Sequence, residues 1–91
     1  MKPRHEAWIE FGKARARITG TELDTAVKQH RQSTGDTSLQ IAEAAGIERA
    51  TLDNVLSRAR RGVRYTAEKA TIIGICAVVG VHYKDVAEDV T

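Results

Sequence analysis

Within residues 46–64, GIERATLDNVLSRARRGVR, five side chains recur at a spacing that suits surface chemistry: Arg49, Ala50, Asp53, Asn54 and Ser57. The intervals i, i+1, i+4, i+5 and i+8 put all five on one side of a helix. They offer a guanidinium, a methyl, a carboxylate, a carboxamide and a hydroxyl, a set of short donors and acceptors able to match a hydrogen-bonding pattern on another molecule. Four arginines, Arg58, Arg60, Arg61 and Arg64, follow within seven residues and without an intervening acid. Guanidinium groups so clustered bind anions, phosphate oxygens above all.

A stripe of this kind works only on a rod whose other side is buried. Leu52, Val55, Leu56 and Ala59 supply that side at i, i+3, i+4 and i+7, with Ile47 entering from the preceding turn. Upstream, Thr37 and Gln40 stand three apart as a capping box for a short helix whose inner face is Ile41, Ala42 and Ala45, and Gly46 ends it in a tight turn. Two short helices joined this way bury only their facing stripes, so neighbouring elements must support them. The outer face of the second helix is left open, and a helix of that kind fits the DNA major groove.

The supporting elements are expected to be helices. Pro3 suits a first helical turn, and Ala7, Phe11, Ala14 and Ile18, with Trp8 beside them, share a face. TELD, residues 21–24, predicts a capping arrangement for a second helix with the stripe Leu23, Ala26, Val27 and His30. RQSTGDT, residues 31–37, reads as a loop. After a break at Gly62, Thr66 can cap a helix that runs through TIIGICAVV to Gly80, although the β-branched residues of 72–79 also suit a buried strand. A last short helix is expected from Tyr83 to Asp89. The predicted fold is all-α, a small bundle of about five or six helices containing a helix-turn-helix. Residues 1–91 form one domain, in which 1–20 make a basic N-terminal helix or arm and 38–57 the helix-turn-helix.

Composition agrees with one small globular unit. The chain has 91 residues, 42% hydrophobic and 29% charged, with a single proline. The net charge of +2 is weak evidence for any partner, but its distribution is uneven: residues 1–17 and 58–64 are basic, while the last eight residues lean acidic. Cys76 is the only cysteine, which excludes an intramolecular disulfide and suits a buried thiol in a reducing cytoplasm. Residues 72–81 are too few for a bilayer crossing, which takes about 20 apolar residues, and the N-terminus lacks the apolar run of a secretory signal. His5, His30 and His82 are scattered away from any zinc spacing, so no metal is expected. No phosphate loop or nucleophile motif is recognisable, and neither an enzyme nor a cofactor nor a small-molecule ligand is expected.

The segment SLQIAEAAGIERATLDNVLS, residues 38–57, resembles the helix-turn-helix of the lambda-repressor-like superfamily, which includes phage repressors, Cro proteins and Xre-type regulators. Ile41 and Ala42 match its first-helix core pair, Gly46 its turn glycine, Ile47 the apolar residue after the turn, and Leu52 and Val55 the inner side of its recognition helix. GIERATLDNVLSR is also similar to the corresponding stretch of lactose-repressor relatives, and TAEKATIIGICAVVGVHYKDV to the Xre pattern of a packing helix, a Gly-Val step and a closing helix. The resemblance spans residues 21–88. This chain departs from the pattern in having Glu48 where a serine or threonine cap is common, Leu39 where an exposed residue is common, and a longer connector, RARRGVR.

The resemblance implies roles. Arg49 would pair with guanine, Asn54 with adenine and Asp53 with the cytosine amino group, while Ala50 would touch a thymine methyl. Ser38, Ser57, Arg58, Arg60, Arg61 and Arg64 would hold backbone phosphates. It also implies a cytoplasmic transcriptional regulator that binds double-stranded DNA, a phage-type repressor or Cro-like protein in a bacterial or phage-infected cell. Such a protein would act as a homodimer on a pseudo-palindromic operator, with residues 72–83 or the Trp8 helix as the dimer surface. The alternative expectation is a protein-interaction module, such as an antitoxin or assembly adaptor. Non-specific nucleoid or RNA binding is a further rival, disfavoured by the weak net charge and few aromatics.

Overall fold

Arg15, Ala16, Arg17 and Ile18 alternate in polarity with period two, and the chain folds them as strand β1 (Arg15–Ile18). Ala16 and Ile18 are fully buried, and the two arginines project from the other face. The computed structural model describes residues 13–90. The expected helix around Pro3, Ala7, Trp8 and Phe11 therefore lies outside the described residues, and its continuation through Ala14 to Ile18 is corrected to a strand. Ala14 and Ile18 satisfy a helical i, i+4 interval, but the alternation from Arg15 to Ile18 satisfies a strand equally, and pairing to two other segments decides between them.

Those segments are β2 (Tyr65–Glu68) and β3 (Ala87–Val90), which flank β1 in an antiparallel sheet of order β2-β1-β3. Arg15 stands opposite Glu68 and Val90, and Arg17 opposite Thr66 and Glu88. The Arg17 guanidinium lies 3.5 Å from the Glu88 carboxylate, and Arg15 donates to the Thr66 carbonyl at 3.4 Å. The expected all-α bundle is thus corrected to a mostly helical fold with a small sheet: five helices accompany the three strands among the described residues.

Helix α1 (Glu22–Thr34) begins after Thr21, whose side chain makes no cap hydrogen bond, so the expected TELD capping arrangement does not form. Asp24 is buried instead, together with Leu23, Ala26 and Val27. The helix also runs further than the composition of residues 31–37 predicts. Ser33 and Thr34 donate their hydroxyls back to the carbonyls of Gln29 and His30, so these residues extend the last turn, and the left-handed Gly35 stops it.

Helices α2 (Ser38–Ala45) and α3 (Arg49–Arg60) follow as expected. The reach of α3 ends at Gly62, whose φ of 68° is left-handed. The next four residues, Tyr65 to Glu68, serve as β2, so Thr66 is a strand residue and not a helix cap; Glu68 precedes α4 (Lys69–Val79). The reason is non-local, since β1 offers a row of backbone partners that no helical turn can supply. Residues 72–79 are helical despite their β-branched side chains, because Ile72 and Ile75 enter the core from α4. A short α5 (Tyr83–Val86) ends at Ala87, which turns extended to begin β3, so the helix expected up to Asp89 is cut short.

The core draws on every layer: Ile18 from β1, Leu23 and Val27 from α1, Ile41 from α2, Leu52 and Val55 from α3, and Ile72 and Ile75 from α4 are all essentially inaccessible. Burial pushes the Cys76 thiol up to about 11, which keeps it protonated and inert at neutral pH. At the edge, Asp89 accepts from Lys69 Nζ at 2.9 Å and from the Tyr83 hydroxyl at 2.7 Å, tying β3 to α4 and α5. These hydrogen bonds, the Lys69 one foremost, hold the Asp89 carboxyl below its usual range. Among the described residues no helix is long and apolar enough to cross a membrane.

Helix α4 lies close against α2 at Gly74, where a Cβ would lie 2.8 Å from the Ala45 carbonyl oxygen. That oxygen belongs to backbone and has little room to yield. Gly74→Ala is expected to cost about 1–3 kcal/mol through overpacking, read as a lowered urea midpoint with an unchanged m-value.

Candidate nucleic-acid interface

The pair α2 and α3 is built from both ends. At its start, Thr37 caps α2 with the predicted box: its hydroxyl accepts from the Gln40 amide at 3.2 Å, and the Gln40 carboxamide oxygen accepts from the Thr37 amide at 2.7 Å. Ser38 is thereby fixed as the first helical residue, half-exposed beside the helix N-terminus. At the junction Gly46 adopts φ 75°, and its amide reaches the carbonyls of Ala42 and Glu43. Ile47 donates to Ala42 at 3.0 Å and buries its side chain, so the chain leaves α2 along one fixed path. Glu48 is extended and precedes α3 without a side-chain cap, although its carbonyl receives the Leu52 amide at 3.1 Å.

Helix α3 has the two sides that its sequence predicts. Leu52, Val55, Leu56 and Ala59 are buried, and Arg49, Ala50, Asp53, Asn54 and Ser57 are exposed without exception. Twelve residues make a rod about 18 Å long at the usual rise. Arg49 and Asp53 lie one turn apart with Nε and Oδ2 3.7 Å from each other, both side chains more than half exposed. This loose pair orients the two groups along the helix and breaks readily in favour of an external partner.

The arginines after this face are placed differently from one another. Arg58 lies over the Tyr65 ring, 5.3 Å from its centroid, a cation–π contact that narrows the directions its guanidinium explores. Arg60 turns toward α1 and stands 3.5 Å from the Asp24 carboxylate. Arg61 and Arg64 are exposed on either side of Gly62. The ten predicted site residues thus fall on one helix and its following loop, except Ser38 at the head of α2.

Other contributors escape the sequence pattern. Asp24 of α1, far away along the chain, and Tyr65, at the start of β2 just after the cluster, both touch the arginines. Lys28, Arg31 and Gln32 of α1 line a shallow groove with Gly35, Asp36 and Thr37, next to the start of α2. Arg31 and Gln32 fall in the stretch that reads as a loop in sequence, and the extension of α1 to Thr34 is what places them in this groove beside Thr37. His30 hydrogen-bonds Asp36 at 2.9 Å and steadies the same loop. No group of three or more potential metal-ligating side chains is found among the described residues.

Thr37→Ala removes one arm of the capping box and is expected to cost about 1 kcal/mol. Hydrogen exchange should locate the loss, with faster exchange at the Gln40 and Ile41 amides and little change in α4.

No protein-family model, curated protein or solved structure matches this chain.

Proposed function

We propose that this protein is a sequence-specific, double-stranded DNA-binding transcriptional regulator of the lambda-repressor-like kind, a phage-type repressor or Cro-like protein that acts by occluding an operator. The observation that carries the reading is the division of α3: its entire Arg49 to Ser57 outer side is exposed, directly behind a stripe that is almost wholly buried. A helix is about 10–12 Å across with its side chains and the B-DNA major groove about 12 Å wide, so such a rod enters with its polar side against base edges. Arg49 pairs with guanine, Asn54 with adenine and Asp53 with cytosine, and Ala50 contacts a thymine methyl. Ser38, Ser57, Arg58, Arg61 and Arg64 hold the phosphates that flank the groove.

The protein works as a homodimer. One domain of this size covers a single half-site, and two recognition helices spaced about one helical turn apart bring affinity into the specific range. The chemistry is recognition alone, without a cofactor or bound metal.

Selection from a random pool of duplexes tests this reading. The expected result is an enriched sequence with dyad symmetry, bound far more tightly than a scrambled duplex of the same length. Equal affinity for both would leave only non-specific binding, and no affinity for either would point to a protein partner such as an antitoxin's or adaptor's. On the enriched duplex, Arg49→Ala should cost about 1–3 kcal/mol and relax selectivity at one base pair. Arg61→Ala should weaken all duplexes alike and make the salt slope shallower by about 0.9 per protomer, about 1.8 for the dimer. Identical losses from the two variants on every duplex would contradict the division of labour.

A further inference from the structure

Asp24 is the third residue of α1, where a carboxylate ordinarily reaches back to cap the helix. Here it points inward: its side chain is only 6% exposed and is met by Lys28 Nζ at 3.0 Å and Arg60 Nη2 at 3.5 Å. Lys28 comes from the same helix and fixes nothing between elements. Arg60 is the last residue of α3, so its contact ties the first turn of α1 to the far end of the candidate recognition helix. The near end is already held by the Gly46 turn and the buried Ile47. The far end is also packed through the buried Leu56 and Ala59, and the ion pair adds to them a polar contact that can be removed without opening the core.

We infer that Asp24 is a positioning residue for α3, and that Arg60 serves as its anchor and not as a ligand for phosphate. The inference rests on the DNA-binding reading above for its functional consequence, but the anchor itself does not. Of the four clustered arginines, Arg60, though its side chain is 60% exposed, is then drawn to a buried carboxylate and Arg58 is steered by Tyr65, and the phosphate contacts fall mainly to Arg58, Arg61 and Arg64. The angle at which α3 enters the groove depends on a carboxylate that never touches DNA.

The test compares wild type, Asp24→Asn, Arg60→Gln, the double variant and Arg60→Lys, by urea denaturation and by titration on the enriched and scrambled duplexes. The anchor predicts that the double variant loses no more stability than the worse single variant. It also predicts that Arg60→Gln, an exposed change that leaves the core intact, lowers the ratio of enriched to scrambled affinity several-fold with the salt slope unchanged. Arg60→Lys should recover part of that ratio. A slope shallower by about 0.9 per protomer in Arg60→Gln, with the ratio preserved, would make Arg60 a phosphate ligand and overturn the inference. Should wild type prefer no duplex, the DNA-binding reading fails separately. The denaturation cycle then decides the anchor, coupled losses supporting it and additive losses refuting it.

Discussion

The burial of one side of α3 against α1 and α2 is the constraint on which the rest of the structure depends. Leu52, Val55, Leu56 and Ala59 leave water together, and at about 25 cal/mol per Å2 of apolar surface this is a strong preference for one rotation of the helix about its axis. Once that rotation is set, the projection of Arg49, Asp53 and Asn54 follows from helical geometry, with no further energy needed to direct them. The turn at Gly46 completes the arrangement, because a left-handed residue there sends the chain across α2 at once. The approach of α4 at Gly74 then closes the back of α2 against the carbonyl that precedes the turn.

Electrostatics acts on this frame as a second, weaker layer. The basic residues near α3 are similar in sequence but differ in what they meet. A ring restrains Arg58, a buried carboxylate draws Arg60 back, and Arg49 shares a loose intrahelical pair. Exposed pairs of this kind contribute little to stability, typically up to about 1 kcal/mol, so their value lies in limiting where each guanidinium points. On the proposed reading, that limitation separates the groups that read bases from those that hold the backbone.

The sheet serves the helices from a distance. β1 occupies its centre and buries Ala16 and Ile18, while β2 leads out of the α3 loop and directly into α4. Tyr65 in β2 reaches Arg58, so the sheet also sets one boundary of the arginine cluster. On its outer face Arg15 and Arg17 are engaged by Thr66 and Glu88. Glu88 matches the charge of Arg17 and a carbonyl engages Arg15, which gives the described part of the basic N-terminal region a structural task.

What the sequence determined by itself is local. The Thr37–Gln40 box, the Gly46 turn and the two-sided character of residues 49–60 depend on groups within a few positions of one another, and helical periodicity makes them readable. The tertiary structure alone decided the strands, the inward turn of Asp24 and the pairing of Arg58 with Tyr65. A four-residue strand such as RARI or YTAE carries too few positions to distinguish period two from period 3.6, and its identity comes from distant partners, which for RARI lie about 50 and 70 residues away. Asp24 could have capped its own helix; it crosses to α3 because packing buries it where a distant guanidinium is within reach.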